Sequence, residues 1–201
     1  IEKFLYFQSS NCYGETNAKK LTESSPCAPG SSYAISKTSA EQYLQISDIP
    51  YISLRLCIVY GPWHFSGPIP IFYKNAINKR KSIITESHRQ FLYMDDFLKL
   101  IEIIILKKLK KQRIYNVSSN ENISMQELFK KINNKLGINN SNYEVKSVST
   151  FDIKSVPLDN SQIKKDFNWQ PSTSIDQGLE YLLQWYENNF VGKDFSHLKI
   201  N

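Results

Sequence analysis

The residues best placed to do chemistry are Tyr33 and Lys37, in the run Ser32-Tyr33-Ala34-Ile35-Ser36-Lys37, with Ser9 upstream. Four residues apart on a helix, a phenol and an ammonium share one face. An ammonium about 4 Å from a phenol interacts with it by roughly 4 kcal/mol at an effective dielectric of 20. At about 1.4 kcal/mol per pKa unit, this brings a phenol from about 10 towards neutrality, where it serves as a base for a sugar or alcohol hydroxyl. The pair alone is a weak signal. With 12 Tyr and many Lys in 201 residues, chance supplies about one such spacing.

A helix must carry that pair and a strand must present Ser9. Phe4-Leu5-Tyr6-Phe7 predicts a buried strand, and Gln8 to Asn11 the polar turn leaving it. Residues 14–32, rich in Ser, Thr, Pro and Gly, predict a loop whose last Ser caps a helix from about Tyr33 to Ile46. Ile35, Ala40, Tyr43 and Leu44 are available for its buried side. Pro50 starts a second strand, Tyr51 to Val59, which Tyr60-Gly61-Pro62 breaks. Continuous apolar strands joined by a helix predict an α/β fold with a parallel sheet covered on both faces.

Further helices are predicted from Pro68–Pro70 to about Asn78 and from Asp95-Asp96 to a lysine cluster near 107–111. Others follow from the capping box Ser124-Met125-Gln126-Glu127 to Leu136, with Gly137 as its stop, over Ser161 to Phe167, and over Ile175 to Phe190. Strands are predicted at Phe91 to Met94, Ile114 to Val117 and Tyr143 to Val148. The two aspartates are assigned to helix capping, and the lysine run to the helix dipole ahead of nucleic-acid binding.

Composition bounds the class. The apolar and charged fractions are those of a folded globular chain, long enough for one domain or a domain and a half. A net charge of +6 suits an anionic ligand such as a nucleotide. Cys12, Cys27 and Cys57 are odd in number and lack CxxC spacing, which argues against a disulfide framework or zinc site and predicts a reducing cytoplasm. His64, His88 and His197 are too scattered for a metal site. Leu98 to Leu106, interrupted by Lys99 and Glu102, is too short to span a bilayer. No signal peptide is visible, and the chain opens on Ile1 inside a strand-like run, which predicts sequence before it.

Several landmarks in order carry a resemblance. Phe4 to Gly14 is a strand ending in a serine pair and then Tyr-Gly; Tyr33-x-x-x-Lys37 follows 24 residues after Ser9. Leu54-Arg55 leads to Tyr60-Gly61-Pro62, and Arg89-Gln90-Phe91-Leu92-Tyr93-Met94-Asp95-Asp96 to Tyr115-Asn116-Val117. Asp159, Trp169-Gln170-Pro171, Gly178 and Trp185-Tyr186 close the series. Over roughly residues 3 to 187 the chain resembles the C-terminal part of an extended short-chain dehydrogenase/reductase, and within it the NAD-dependent nucleotide-sugar epimerase/dehydratase group.

The resemblance implies the C-terminal half of a Rossmann-type doubly wound parallel sheet plus a smaller α/β substrate-binding region. Residues 1–60 and 89–118 would belong to the NAD(P)-binding domain, and 61–88 and 119–201 to the substrate-binding region. It implies that Tyr33 is the acid/base for a sugar hydroxyl and that Lys37 lowers its pKa and bonds the nicotinamide ribose. Ser9 would hold the reacting oxygen, Tyr60 would join Tyr33 and Lys37 in binding cofactor, and Arg89 would clamp the substrate diphosphate. The cofactor would be NAD, with NADP possible, and the complete enzyme a homodimer through the helix carrying Tyr33 and its neighbour.

Departures refine this. Members begin with a glycine-rich turn that binds the cofactor pyrophosphate; with 7 Gly and no GxxGxxG, this chain reads as an N-terminally truncated fragment, expected to be inactive alone. Dehydratases place Asp-Glu after the active Ser/Thr, where Ser10-Asn11 stand here. Ile58 occupies the position of an Asn that touches substrate phosphate in many epimerases, and the loop from Lys81 to Arg89 is short and lacks glycine. The leading expectation is a nucleotide-sugar epimerase working through a keto-sugar intermediate. Its rivals are an NAD(P)H-dependent reductase of a nucleotide-linked keto sugar and a non-catalytic RNA- or protein-binding relative, the latter supported by charge alone.

Overall fold

The computed structural model describes residues 3–107, 113–139, 142–148 and 153–189. In chain order they form β1 (Phe4–Ser9), a 3-10 turn (Ser10–Tyr13), α1 (Ser32–Gln45), β2 (Tyr51–Leu56), β3 (Ile58–Tyr60), α2 (Pro68–Ile77), β4 (Ser82–Thr85) and β5 (His88–Tyr93). Then come α3 (Met94–Leu106), β6 (Arg113–Val117), β7 (Asn122–Ser124), α4 (Met125–Lys135), β8 (Tyr143–Lys146), α5 (Ser161–Phe167) and α6 (Ile175–Asn189).

The apolar runs pair as a parallel sheet in the order β1-β2-β6, with Phe4 opposite Tyr51 and Ile52 opposite Arg113. Parallel neighbours need a crossover, and α1 supplies the one between β1 and β2. The other face is closed by α3 and α5, whose Phe97, Leu100, Ile104, Ile163 and Phe167 pack with Ile52, Leu54, Tyr115, Val117 and Trp169. A second sheet, β3-β5-β7, joins the pair β4-β8 and helices α2, α4 and α6 around a larger core that includes Tyr60, Phe72, Phe91, Phe129 and Leu182. β3 and β5 pair with each other in the second sheet, whereas α5 and Trp169 pack against the first.

Four local expectations are corrected. The run from Tyr51 to Val59 is two strands, because the chain changes sheets at Cys57, whose N–H donates to Val117 O at 3.0 Å. The cap of α1 is Ser31, whose Oγ accepts from Ala34 N at 3.2 Å. The buried residues of α1 are Ala34, Thr38 and Glu41, while Ile35 and Tyr43 face outward. Its polar residue turns inward because a buried arginine, Arg55 on β2, receives it. Finally, β4 and β7 form where no strand was predicted. Of the lysine cluster at the end of α3, residues 108–111 lie outside the described residues, as does Phe190 after α6.

Other local chemistry follows the sequence. Ser124 Oγ caps α4 by accepting from Glu127 N at 3.0 Å. The helix stops at Gly137, φ +64°, with Ile138 N on Asn133 O and Gly137 N on Asn134 O, a Schellman pattern. Gly178 is required by close approach: a side chain there would run into the Tyr60 hydroxyl.

Asp95 and Asp96 both sit in the first turn of α3, but Asp96 does more than complement a helix end. It is 1% exposed, and its carboxylate accepts from Ser172 Oγ at 2.7 Å, Ser172 N at 3.0 Å and Thr173 N at 2.8 Å. Burial opposes the charge, yet the bonds from Ser172 and Thr173 outweigh it and hold the carboxyl below its ordinary range. A folded pKa below the unfolded value of about 3.9 means stability present above that pH and lost as pH falls through the folded value. Asp96→Asn is therefore expected to cost roughly 1–3 kcal/mol at pH 7. The difference from wild type should shrink on acidification below pH ~4. Urea melts at a series of pH values check this, and a cost independent of pH would refute it.

Candidate active site

Ser9 ends β1 and Tyr33 and Lys37 lie in the first turns of α1, which packs against β1 and the following 3-10 turn. Ser9 Oγ accepts from Asn11 N at 3.2 Å, which fixes the turn and leaves the hydroxyl proton available to donate. Tyr33 is 56% exposed, so its phenol is open to a ligand. Lys37 is half-buried, and burial lowers its pKa. Ser9, Tyr33 and Lys37 thus sit on one strand–helix unit, since α1 packs against both β1 and the 3-10 turn.

Tyr6, which the sequence reading missed, holds this unit together. Its hydroxyl donates to Lys37 O at 2.8 Å, and the Lys37 ammonium lies over its ring, 4.4 Å from the centroid. Burial, then the nearness of Glu41 and Tyr33, pushes the Tyr6 hydroxyl above its ordinary pKa, so it remains a neutral donor. The alternation of β1 was the available signal, since Tyr6 and Gln8 share the face that meets α1.

Beneath the site runs a buried polar network, also missed. Glu41, 1% exposed, accepts from Arg55 Nη2 at 2.6 Å, from Arg55 Nε at 3.2 and 3.3 Å, and from Ser53 Oγ at 2.5 Å. Arg55 Nη1 donates to the Tyr13 hydroxyl at 2.9 Å, which donates onward to Asn116 Oδ1 at 2.6 Å. Burial works against the Arg55 charge, but the Glu41 carboxylate prevails and keeps the guanidinium ionised. Glu41 was visible one turn beyond Lys37, where it reads as an ordinary i,i+4 surface partner. Only the fold turns it towards Arg55.

Arg89 and Ile58 meet elsewhere. Both line a cavity of about 270 Å³ with Gly67 and Pro68 at the start of α2, and with Thr85 and Ser87. Arg89 Nη1 donates to His88 O at 2.9 Å and to Lys154 O at 3.3 Å. Tyr60 is the member that the structure sets apart. It is fully buried among Phe91, Tyr93 and α6.

A parallel sheet with a serine at a strand end, packed against a helix that carries Tyr-x-x-x-Lys, is a Rossmann-type arrangement of the extended short-chain dehydrogenase/reductase kind. The chain belongs to the NAD-dependent epimerase/dehydratase family, whose sequence profile matches residues 1–118. It is 31% identical over 205 residues to the dTDP-D-glucose 4,6-dehydratase of Homo sapiens, covering 94% of this chain and 58% of that protein. Among solved structures it superposes on the Bordetella bronchiseptica enzyme WbmG in complex with NAD and UDP, with a TM-score of 0.89 and 35% identity over 98% of this chain and 64% of that one. It also superposes on the Bacillus anthracis dTDP-glucose 4,6-dehydratase in complex with NAD, with a TM-score of 0.84 and 26% identity over 93% of this chain and 62% of that one. The chain spans less than two thirds of the length of these relatives. No helix among the described residues is long and apolar enough to cross a membrane.

Proposed function

We propose that this chain carries the catalytic and substrate-binding part of an NAD-dependent nucleotide-sugar epimerase. What supports the reading is that Ser9 ends the strand against which the helix carrying Tyr33 and Lys37 packs, with Ser10 and Asn11 following and no carboxylate in that turn. Elimination of water needs an acid and a base beside the keto sugar. A dehydratase, the activity of the human relative, is therefore the second reading and lacks its carboxylate pair here.

The residues present fit one end of NAD. Tyr33 and Lys37 offer an exposed phenol and a half-buried ammonium to a nicotinamide ribose. No glycine-rich phosphate turn occurs among the described residues: Gly14 is crowded by the Ala28 carbonyl, and Gly178 is packed on Tyr60. When bound, the nicotinamide accepts and returns a hydride. Ser9 holds the reacting sugar oxygen, Tyr33 takes and returns its proton, and Lys37, seated on Tyr6, fixes that phenol and the ribose. Arg89 and the start of α2 offer a guanidinium and a helix N-terminus to the diphosphate. We place the enzyme in the cytoplasm as a homodimer through α1, whose outward face carries Ile35, Tyr43 and Ile46.

The test fuses a glycine-rich cofactor-binding segment to the N-terminus and supplies UDP- and dTDP-hexoses. Epimer formation without net cofactor turnover is expected. Consumption of NADPH with no epimer would establish the reductase instead, and a 4-keto-6-deoxy product the dehydratase.

A further inference from the structure

Cys12 and Cys27 are 15 residues apart in sequence and adjacent in the fold. Cys12 is fully buried in the 3-10 turn after Ser9, within the small cluster of Tyr13, Leu21, Val156 and Leu158. Cys27 lies in the exposed loop before α1. Ala28 N donates to Cys12 O at 2.9 Å, and Gly14 lies so close to the Ala28 carbonyl that no side chain would fit. That backbone bond sets the two cysteines beside each other, near enough for each thiol to act on the other's charge.

The neighbouring Cys12 thiol, opposed by burial and helped by the Arg55 guanidinium, lowers the Cys27 thiol to about 7, with Glu41 working against it. Cys27 in turn, together with burial, pushes Cys12 up. Cys57 differs: burial pushes its thiol up to about 12. An exposed cysteine with a lowered pKa beside a protonated buried partner is the arrangement of an attacking and a resolving thiol.

We propose that Cys12 and Cys27 form a reversible disulfide in response to hydrogen peroxide, with Cys27 attacking and Cys12 resolving. The Cys27 thiolate attacks a peroxide oxygen and breaks the O–O bond. The departing hydroxide takes a proton to leave as water, and Cys27 becomes a sulfenic acid. The Cys12 sulfur then attacks the Cys27 sulfur, its proton passing to the sulfenic oxygen, which leaves as a second water. Two thiols are oxidised while one peroxide is reduced, and a dithiol reverses the change. The bond ties the loop at 27–28 to the turn that begins at Ser9, so the oxidation state acts on the segment that presents the serine.

The test treats the reduced chain with hydrogen peroxide, counts free thiols after denaturation and maps linked peptides by mass spectrometry. The expected result is loss of two of the three thiols, a Cys12–Cys27 linked peptide within one chain, Cys57 still alkylatable, and full recovery with a dithiol. Cys12→Ser should stop at a Cys27 sulfenic acid that dimedone traps, and Cys27→Ser should retain both its thiols. Over-oxidation of Cys27 to sulfinic acid in the wild type, or links only between chains, would overturn the proposal. The wild-type map decides the matter even if a variant fails to fold.

Discussion

Glu41→Ala is expected to lower the unfolding free energy by about 3–5 kcal/mol, the cost of leaving a buried charge without its partner. Arg55 and Glu41 are 4% and 1% exposed and share three hydrogen bonds in addition to the one from Ser53. Removing the carboxylate leaves Arg55 facing only the Tyr13 hydroxyl and the Glu23 carbonyl, in a space water does not reach readily. Replacing both together, as Glu41→Leu with Arg55→Met, is expected to cost less than either single change, because two apolar groups need no charge partner. Urea denaturation of Glu41→Leu, Arg55→Met and the double completes the cycle. A Glu41→Ala loss under about 1 kcal/mol would mean that solvent enters and the pair is an ordinary surface bridge. The network also seats α1, so Glu41→Ala should loosen the helix that carries Tyr33 and Lys37.

Tyr33→Phe is expected to do the opposite, removing activity while sparing the fold. In the chain fused to a cofactor-binding segment, kcat should fall by roughly 10²–10⁴, the usual contribution of a positioned acid/base. Stability should change by no more than about 0.5 kcal/mol, since an exposed hydroxyl on a helix surface contributes little. Nucleotide-sugar affinity should hold, because Arg89 and its cavity lie on other elements. Measuring kcat, substrate Kd and the urea midpoint on one preparation separates these effects. Activity retained within a few-fold would remove Tyr33 from the acid/base role, and a parallel loss of stability would make it a structural residue.

By itself the sequence determined whatever depends on neighbours along the chain. The apolar runs at Phe4–Phe7 and Ile114–Val117 are strands, the Tyr33–Lys37 spacing lies on a helix, and Gly137 stops α4 because it adopts φ +64°. The ordered landmarks identified the family, and with it the meaning of a tyrosine and lysine that chance also produces. The tertiary structure decided the rest, because each remaining feature needs a partner that local pattern does not specify. Glu41 points inward only because β2 offers Arg55, 14 residues away, and Tyr13 is held by Asn116, 103 residues on. The chain's change of sheet at Cys57 sends Tyr60 under α6, a position that its place in a motif does not specify. Cys12 and Cys27 lacked any spacing that suggested a pair, and the backbone bond from Ala28 to Cys12 sets them side by side. For Tyr33 and Lys37 the helix was legible at once, whereas the seat that holds them, Tyr6 below and Glu41 with Arg55 behind, came from packing across the sheet.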